Sequence, residues 1–219
     1  FFPADGNTTL ATLEHSLEST NGINIIVAGK TLEPRWVGVE EAKVNIEEGV
    51  SIWKFASDEN PDIVFASAGD YPTKEALATL DLLKKELPEV KARFVNVSSL
   101  SYTGFGTCGN TLAKDDFQKY FTSDKPVIFN YHGYPQTIKQ ILFDYAEDPQ
   151  RFAISGYIEE GSTTSPFDMQ VRNKTDRFNL MKQAALFLQK SGKINDEQKQ
   201  KIDEKCNQIL EKHLAYIKE

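Results

Sequence analysis

Short β-branched apolar runs alternate along this chain with helix-spaced apolar stripes. The clearest unit begins with residues 62–68 (DIVFASA), a run of strand length and composition. Gly69-Asp70-Tyr71-Pro72 turns the chain, and Thr73 is placed to cap a helix. That helix carries Ala76, Leu77, Leu80, Leu83 and Leu87 on one face and stops at Pro88. Residues 92–97 (ARFVNV) form the next strand, so the spacing is that of a parallel crossover. The pattern then repeats. Residues 126–131 (PVIFNY) predict a strand, His132-Gly133-Tyr134-Pro135 a turn, and Ile138, Ile141 and Leu142 one helix face. Residues 151–157 (RFAISGY) predict a further strand.

The flanks read less sharply. Leu10, Leu13 and Leu17 predict a helix over residues 7–20, capped by Asn7 or Thr8. Residues 23–28 (INIIVA) predict a buried strand that delivers the turn Gly29-Lys30. A weaker helix spans 39–49, with Gly49 as its stop. Thr175 or Asp176 starts a helix with Phe178, Leu180, Met181, Ala184, Ala185 and Leu188 largely on one side, which Ser191-Gly192 breaks. A charged helix follows from Asn195 to the end, with His213 and His15 both expected to face solvent. Alternating strands and helices predict an α/β fold. Its sheet is open and mostly parallel or mixed, with helices on both faces. Ligands of such sheets meet the carboxyl ends of the strands. Four such ends are readable: Gly29-Lys30, Gly69-Asp70, His132-Gly133-Tyr134, and the loop from Glu159 to Ser165.

That last loop is the most distinctive segment. Ser162, Thr163, Thr164 and Ser165 stand in a row behind Gly161, after two carboxylates and before Pro166. Hydroxyl side chains compete for backbone groups and Pro offers no N–H, so the run predicts a shaped, donor-rich loop, not a helix or a central strand. The 219 residues carry a formal charge of −7, which disfavours a nucleic-acid backbone as partner. Cys108 and Cys206 form no disulfide framework or zinc pattern, and no apolar run reaches membrane-spanning length. With no basic-then-apolar leader, these features fit a cytoplasmic protein, free of nucleic acid and membrane. Phe1 in place of Met predicts a processed product or an excised piece of a longer chain.

Several short motifs fail on their spacing. Ala28-Gly29-Lys30-Thr31 imitates the end of a phosphate-binding P-loop, but Asn24 stands where the first glycine is needed. A lone Lys at a strand end is still a competent phosphate anchor. Gly104-Phe105-Gly106-Thr107-Cys108-Gly109 has the letters of a dinucleotide fingerprint. It is detached from the preceding strand, however, and the next helix begins only near Lys114. His15, His132 and His213 are too scattered for a metal triad, and no G-x-S-x-G elbow is present.

Ordered blocks of the sequence resemble the C-terminal domain of the phosphoketolases. They are Val27-Ala28-Gly29-Lys30, Ser67-Ala68-Gly69-Asp70-Tyr71-Pro72-Thr73, Leu80-Asp81-Leu82-Leu83 and Asp124-Lys125-Pro126-Val127-Ile128-Phe129. His132-Gly133-Tyr134-Pro135, the stretch from Glu160 to Met169, and Asp176-Arg177-Phe178 complete the series. The resemblance implies part of a transketolase-like enzyme that uses thiamine diphosphate and Mg²⁺. Such an enzyme cleaves xylulose 5-phosphate, and often fructose 6-phosphate, with inorganic phosphate. The products are acetyl phosphate and an aldose phosphate. It also implies that the cofactors are held by preceding domains across a homodimer, which agrees with the missing Gly-Asp-Gly cofactor motif. Lys30 is then a phosphate ligand, and His132, Tyr134, Glu160, Thr163 and Thr164 line the channel, with no catalytic or metal-binding residue in this chain. The stretch from Ser98 to Asn110 departs from the family pattern. The organisation expected is a leading helix over 1–22, the α/β domain over 23–192, and a helical extension over 193–219, inactive alone. The rival reading is a non-catalytic regulatory or interaction module that binds a phosphorylated metabolite.

Overall fold

The runs read as central strands lie side by side. The computed structural model describes residues 1–100, 103–104, 110–158 and 164–218. In chain order they form α1 (Gly6–Glu18), α2 (Val39–Glu48), β1 (Val50–Ile52), β2 (Ile63–Ala68), α3 (Asp70–Glu86) and β3 (Ala92–Val97). Next come β4 (Thr103–Gly104), β5 (Asn110–Thr111), α4 (Lys114–Phe121), β6 (Val127–Tyr131), α5 (Pro135–Tyr145) and β7 (Phe152–Gly156). The chain closes with α6 (Pro166–Asn173), α7 (Arg177–Lys190) and α8 (Asp196–Lys218). The main sheet has the order β1-β3-β2-β6-β7. Its last four strands are parallel neighbours, and β1 runs antiparallel to β3 at the edge, with Val50 opposite Val97. The expected open, mostly parallel α/β sheet is therefore present, in its mixed form.

Strand alternation sorts the core into two layers. Ile63 and Phe65 of β2, Phe94 of β3 and Ile128 of β6 face one layer, together with Ala76, Leu80 and Leu83 of α3 and Leu180, Ala184 and Leu188 of α7. Val64 and Ala66, Val95 and Val97, and Val127 and Phe129 face the other, against Phe117 and Phe121 of α4 and Ile138 and Ile141 of α5. Burial of each large side chain contributes about 1.5–3 kcal/mol, so both faces need their helices. α8 packs against α7 and adds Ile202 and Cys206 to the first layer. Burial there pushes the Cys206 thiol up to about 11.

Four expectations are corrected. Residues 23–28 are not a strand: Ile23 is 94% and Ile25 71% exposed. The position at the β3 edge is taken by the three residues of β1, and the backbone of 23–28 bonds instead to Phe1. Pairing partners, not β-propensity, decided the outcome. α1 is capped by Asp5, whose carboxylate accepts the Thr8 N–H in a capping box, and not by Asn7 or Thr8. Its buried residues are Thr8, Ala11 and Thr12, while Leu10, Leu13 and Leu17 are exposed, Leu17 at 85%. α3 starts at Asp70, three residues before the expected Thr73 cap, because Gly69 takes a positive φ of 105°. The Thr73 hydroxyl donates back to the Gly69 carbonyl at 2.7 Å. Lastly, the stretch after Ser165 is helical over Pro166–Asn173, with Ser165 as N-cap and Pro166 in the first turn, where its missing N–H costs nothing.

Candidate functional site

β2, β6 and β7 end next to one another, so the sequence that follows each strand converges on one rim. The His132 N–H donates to the Ala68 carbonyl at 2.9 Å, and the Tyr157 N–H to the Gly133 carbonyl at 2.9 Å. Two glycines let the strands end this close. A Cβ on Gly69 would lie 2.6 Å from Cβ of His132, and one on Gly133 2.7 Å from the Tyr131 ring. His132 therefore stands directly over the β2–α3 turn. Below the rim, the Asn130 amide donates to the Thr175 carbonyl at 3.0 Å and joins β6 to the start of α7.

Asp70, in the first turn of α3, is the hub. Its carboxylate is buried. Oδ1 accepts the Tyr71 N–H at 2.7 Å and lies 2.9 Å from Nδ1 of His132. Oδ2 accepts the N–H of Gly29. Burial pushes this carboxyl up, but the His132 ring and the Tyr71 and Gly29 N–H groups outweigh it and hold it below the usual carboxylate range. The segment after Gly29 is fastened further. The Thr31 hydroxyl meets the Tyr71 hydroxyl at 3.3 Å, and Lys74 pairs with Glu33 at 2.5 Å while lying over the Tyr71 ring. The residues 29–33 are thus docked on the N-terminal turn of α3, and Lys30 between them is exposed. The turn Gly29-Lys30 joins the rim through Asp70 and not as the end of a strand.

A second polar cluster adjoins it. The Tyr157 ring packs 5.3 Å from that of His132, and the Tyr157 hydroxyl bonds the Gln170 side chain of α6. Burial drives the Tyr157 phenol upward, so it stays protonated. Asp168 is fully buried and holds three partners: the Thr164 hydroxyl at 2.7 Å, Nε of Arg172 at 2.6 Å and Nε2 of His213 at 3.0 Å. Burial pushes this carboxyl up, yet the three hydrogen bonds prevail and pull it down to about 2. His213 thus turns inward from α8, contrary to the solvent-facing expectation.

Of the residues singled out by sequence, His132 and the Gly29 that precedes Lys30 meet at Asp70, while Tyr134 is 57% exposed as the N-cap of α5. The Thr164 hydroxyl donates to Asp168 of α6. Glu160 and Thr163 lie outside the described residues, as does the Gly-rich pattern after Gly104. Sequence reading placed Gly69-Asp70 at the rim but gave Asp70 no role as its hub. The signal was present: an Asp directly after a strand-ending Gly, 41 residues from its Gly29 partner.

A family model described as the XFP C-terminal domain matches residues 30–219. The chain belongs to that family. Its relatives carry the name that the sequence blocks suggested. "Probable phosphoketolase" of Clostridium acetobutylicum is 39% identical over 223 residues, covering 100% of this chain and 27% of that protein. "Probable phosphoketolase 2" of Lactiplantibacillus plantarum is 39% identical over 229 residues, again 100% and 27%. "Probable phosphoketolase" of Brucella abortus is 43% identical over 188 residues, covering 84% and 24%. The chain therefore spans about a quarter of the length of these relatives, as a C-terminal domain would. Among solved structures, "Split gene transketolase, inactive beta4 tetramer" aligns with TM-score 0.64 and 17% identity over 86% of this chain and 57% of that one. "Transketolase from Leishmania mexicana" aligns with TM-score 0.57 and 11% identity over 86% and 25%. At such identities the likeness shows the fold alone, and that fold is transketolase-like.

Proposed function

We propose that this chain is the C-terminal domain of a phosphoketolase that cleaves xylulose 5-phosphate, and fructose 6-phosphate in some members, with inorganic phosphate. Acetyl phosphate and an aldose phosphate are the products. The domain's part is to close the substrate channel and to supply Lys30 as a phosphate ligand. The observation that carries this reading is the docking of residues 29–33 onto the start of α3, which leaves an exposed Lys30 beside the strand rim that bears His132. An ammonium is a compact point charge with three donors, suited to a phosphate dianion through charge-assisted hydrogen bonds. His132, Tyr134, Glu160, Thr163 and Thr164 are assigned to the channel wall.

Thiamine diphosphate with Mg²⁺ supplies the carbon–carbon bond chemistry in this reading. The described residues do not fit that group. Both oxygens of Asp70, the one acidic residue at the strand–helix turn, face N–H groups, and no cluster of three metal-ligating side chains occurs among the described residues. On the family resemblance the cofactor is assigned to the preceding domains of a cytoplasmic homodimer that engages neither nucleic acid nor membrane, and the domain alone is assigned no turnover. Lys30→Ala in the longer enzyme tests the assignment. Loss of a hydrogen bond to a charged group costs about 1.5–3 kcal/mol, so KM for sugar phosphate or for inorganic phosphate should rise about 10- to 100-fold. Unchanged rate and KM for both would refute the role.

A further inference from the structure

Asp70 does more in this fold than begin a helix. An acidic residue in the first helical turn needs no partner beyond the helix N–H groups. This one divides its oxygens between two distant segments: Oδ2 to the backbone of Gly29, Oδ1 to the Tyr71 N–H and to Nδ1 of His132 at 2.9 Å. Gly29 is required for this approach, since a Cβ there would lie 2.6 Å from Oδ2. Gly29 immediately precedes Lys30, and residues 23–28 before it are held by two backbone bonds to Phe1 and no sheet. The Asp70 bond is therefore the last contact that the chain makes before Lys30, and it ties that point to the start of α3. On the other side of the carboxylate, Nδ1 of His132 faces Asp70, which leaves Nε2 as the ring's outward nitrogen.

We propose that Asp70 is a positioning residue for phosphate capture: through its two oxygens it fixes the Lys30 segment against the His132 ring, so that ammonium and imidazole are presented as one unit. The proposal rests on the phosphate role given to Lys30. Its chemistry makes Asn a sharp probe. A carboxylate accepts on both oxygens, whereas an amide must turn its NH₂ toward one of two N–H donors and so lose one arm.

Two readouts in the longer enzyme decide the matter. The first is amide hydrogen exchange over residues 26–33, which does not depend on phosphate. Asp70→Asn and Gly29→Ala should each speed it about tenfold or more, because a local opening is made easier. His132→Gln, which leaves the Gly29 bond intact, should not. The second is a double-mutant cycle read as KM for inorganic phosphate. If Asp70 acts through Lys30, Asp70→Asn raises KM in the wild-type background but adds less than about twofold to Lys30→Ala. Gly29→Ala should behave alike, so the test survives a misfolded Asp70 variant. Unchanged exchange in both variants, or additive effects on KM, overturns the proposal. Faster exchange with a Lys30→Ala variant of normal KM would uphold the tether, refute the phosphate role of Lys30 and overturn the positioning proposal built on it.

Discussion

Asp168 shows how one buried charge is kept in this domain. It is fully buried, yet Thr164, Arg172 and His213 supply it with three short hydrogen bonds from a loop, its own helix and the C-terminal helix. A carboxylate whose native pKa lies below its unfolded value stabilises the fold above the unfolded pKa. That contribution is lost as pH falls through the native one. With a native value of about 2 against an ordinary 3.8, Asp168 weakens the fold between about pH 4 and pH 2. Asp70, also held low, acts in the same direction. Thermal midpoints measured from pH 6 to pH 2 should fall less steeply in Asp168→Asn than in the parent chain. Identical slopes would remove Asp168 from the account. At this scale sequence reading was weakest. His213 was expected in solvent because its partner lies 45 residues earlier, on a helix that composition had disguised as a loop.

That disguise belongs to the element scale. Four hydroxyl residues and a Pro read as loop, and of these the described Thr164 and Ser165 lie outside any helix or strand. Pro166 then begins α6, because Pro is tolerated where no N–H is needed and the Ser165 hydroxyl accepts the Asp168 N–H at 3.2 Å. Ser165→Ala should cost about 1 kcal/mol, seen as a lower urea midpoint with unchanged slope. An unaltered midpoint would mean that the cap does not support α6. The opposite error was made at residues 23–28, whose β-branched letters promised a strand. A strand exists only where a neighbour offers its unpaired edge, and β1 had taken that place with just three residues. The central strands and α2, α3, α5, α7 and α8 were legible because each carries a long apolar stripe or a fully buried run bounded by Gly or Pro. The leucine spacing of α1 predicted a helix correctly, yet Leu10, Leu13 and Leu17 are exposed while Thr8, Ala11 and Thr12 are buried.

For the whole molecule, alternation of strand and helix was enough to give the mostly parallel sheet and its two helical layers, and the ordered motif blocks were enough to give the family. What neither could give was the meeting of Gly29 with Asp70, a contact made by a non-strand segment across the rim. The chain spans about a quarter of its relatives, and Leu10, Leu17, Ile23, Ile25 and Leu32 stand exposed toward its N-terminal side. The account rests on Lys30 meeting phosphate at the rim. A crystal structure of the longer enzyme with inorganic phosphate bound measures this directly. The account predicts Nζ of Lys30 about 2.7–2.9 Å from a phosphate oxygen. A bound phosphate that the Lys30 ammonium does not reach would contradict it.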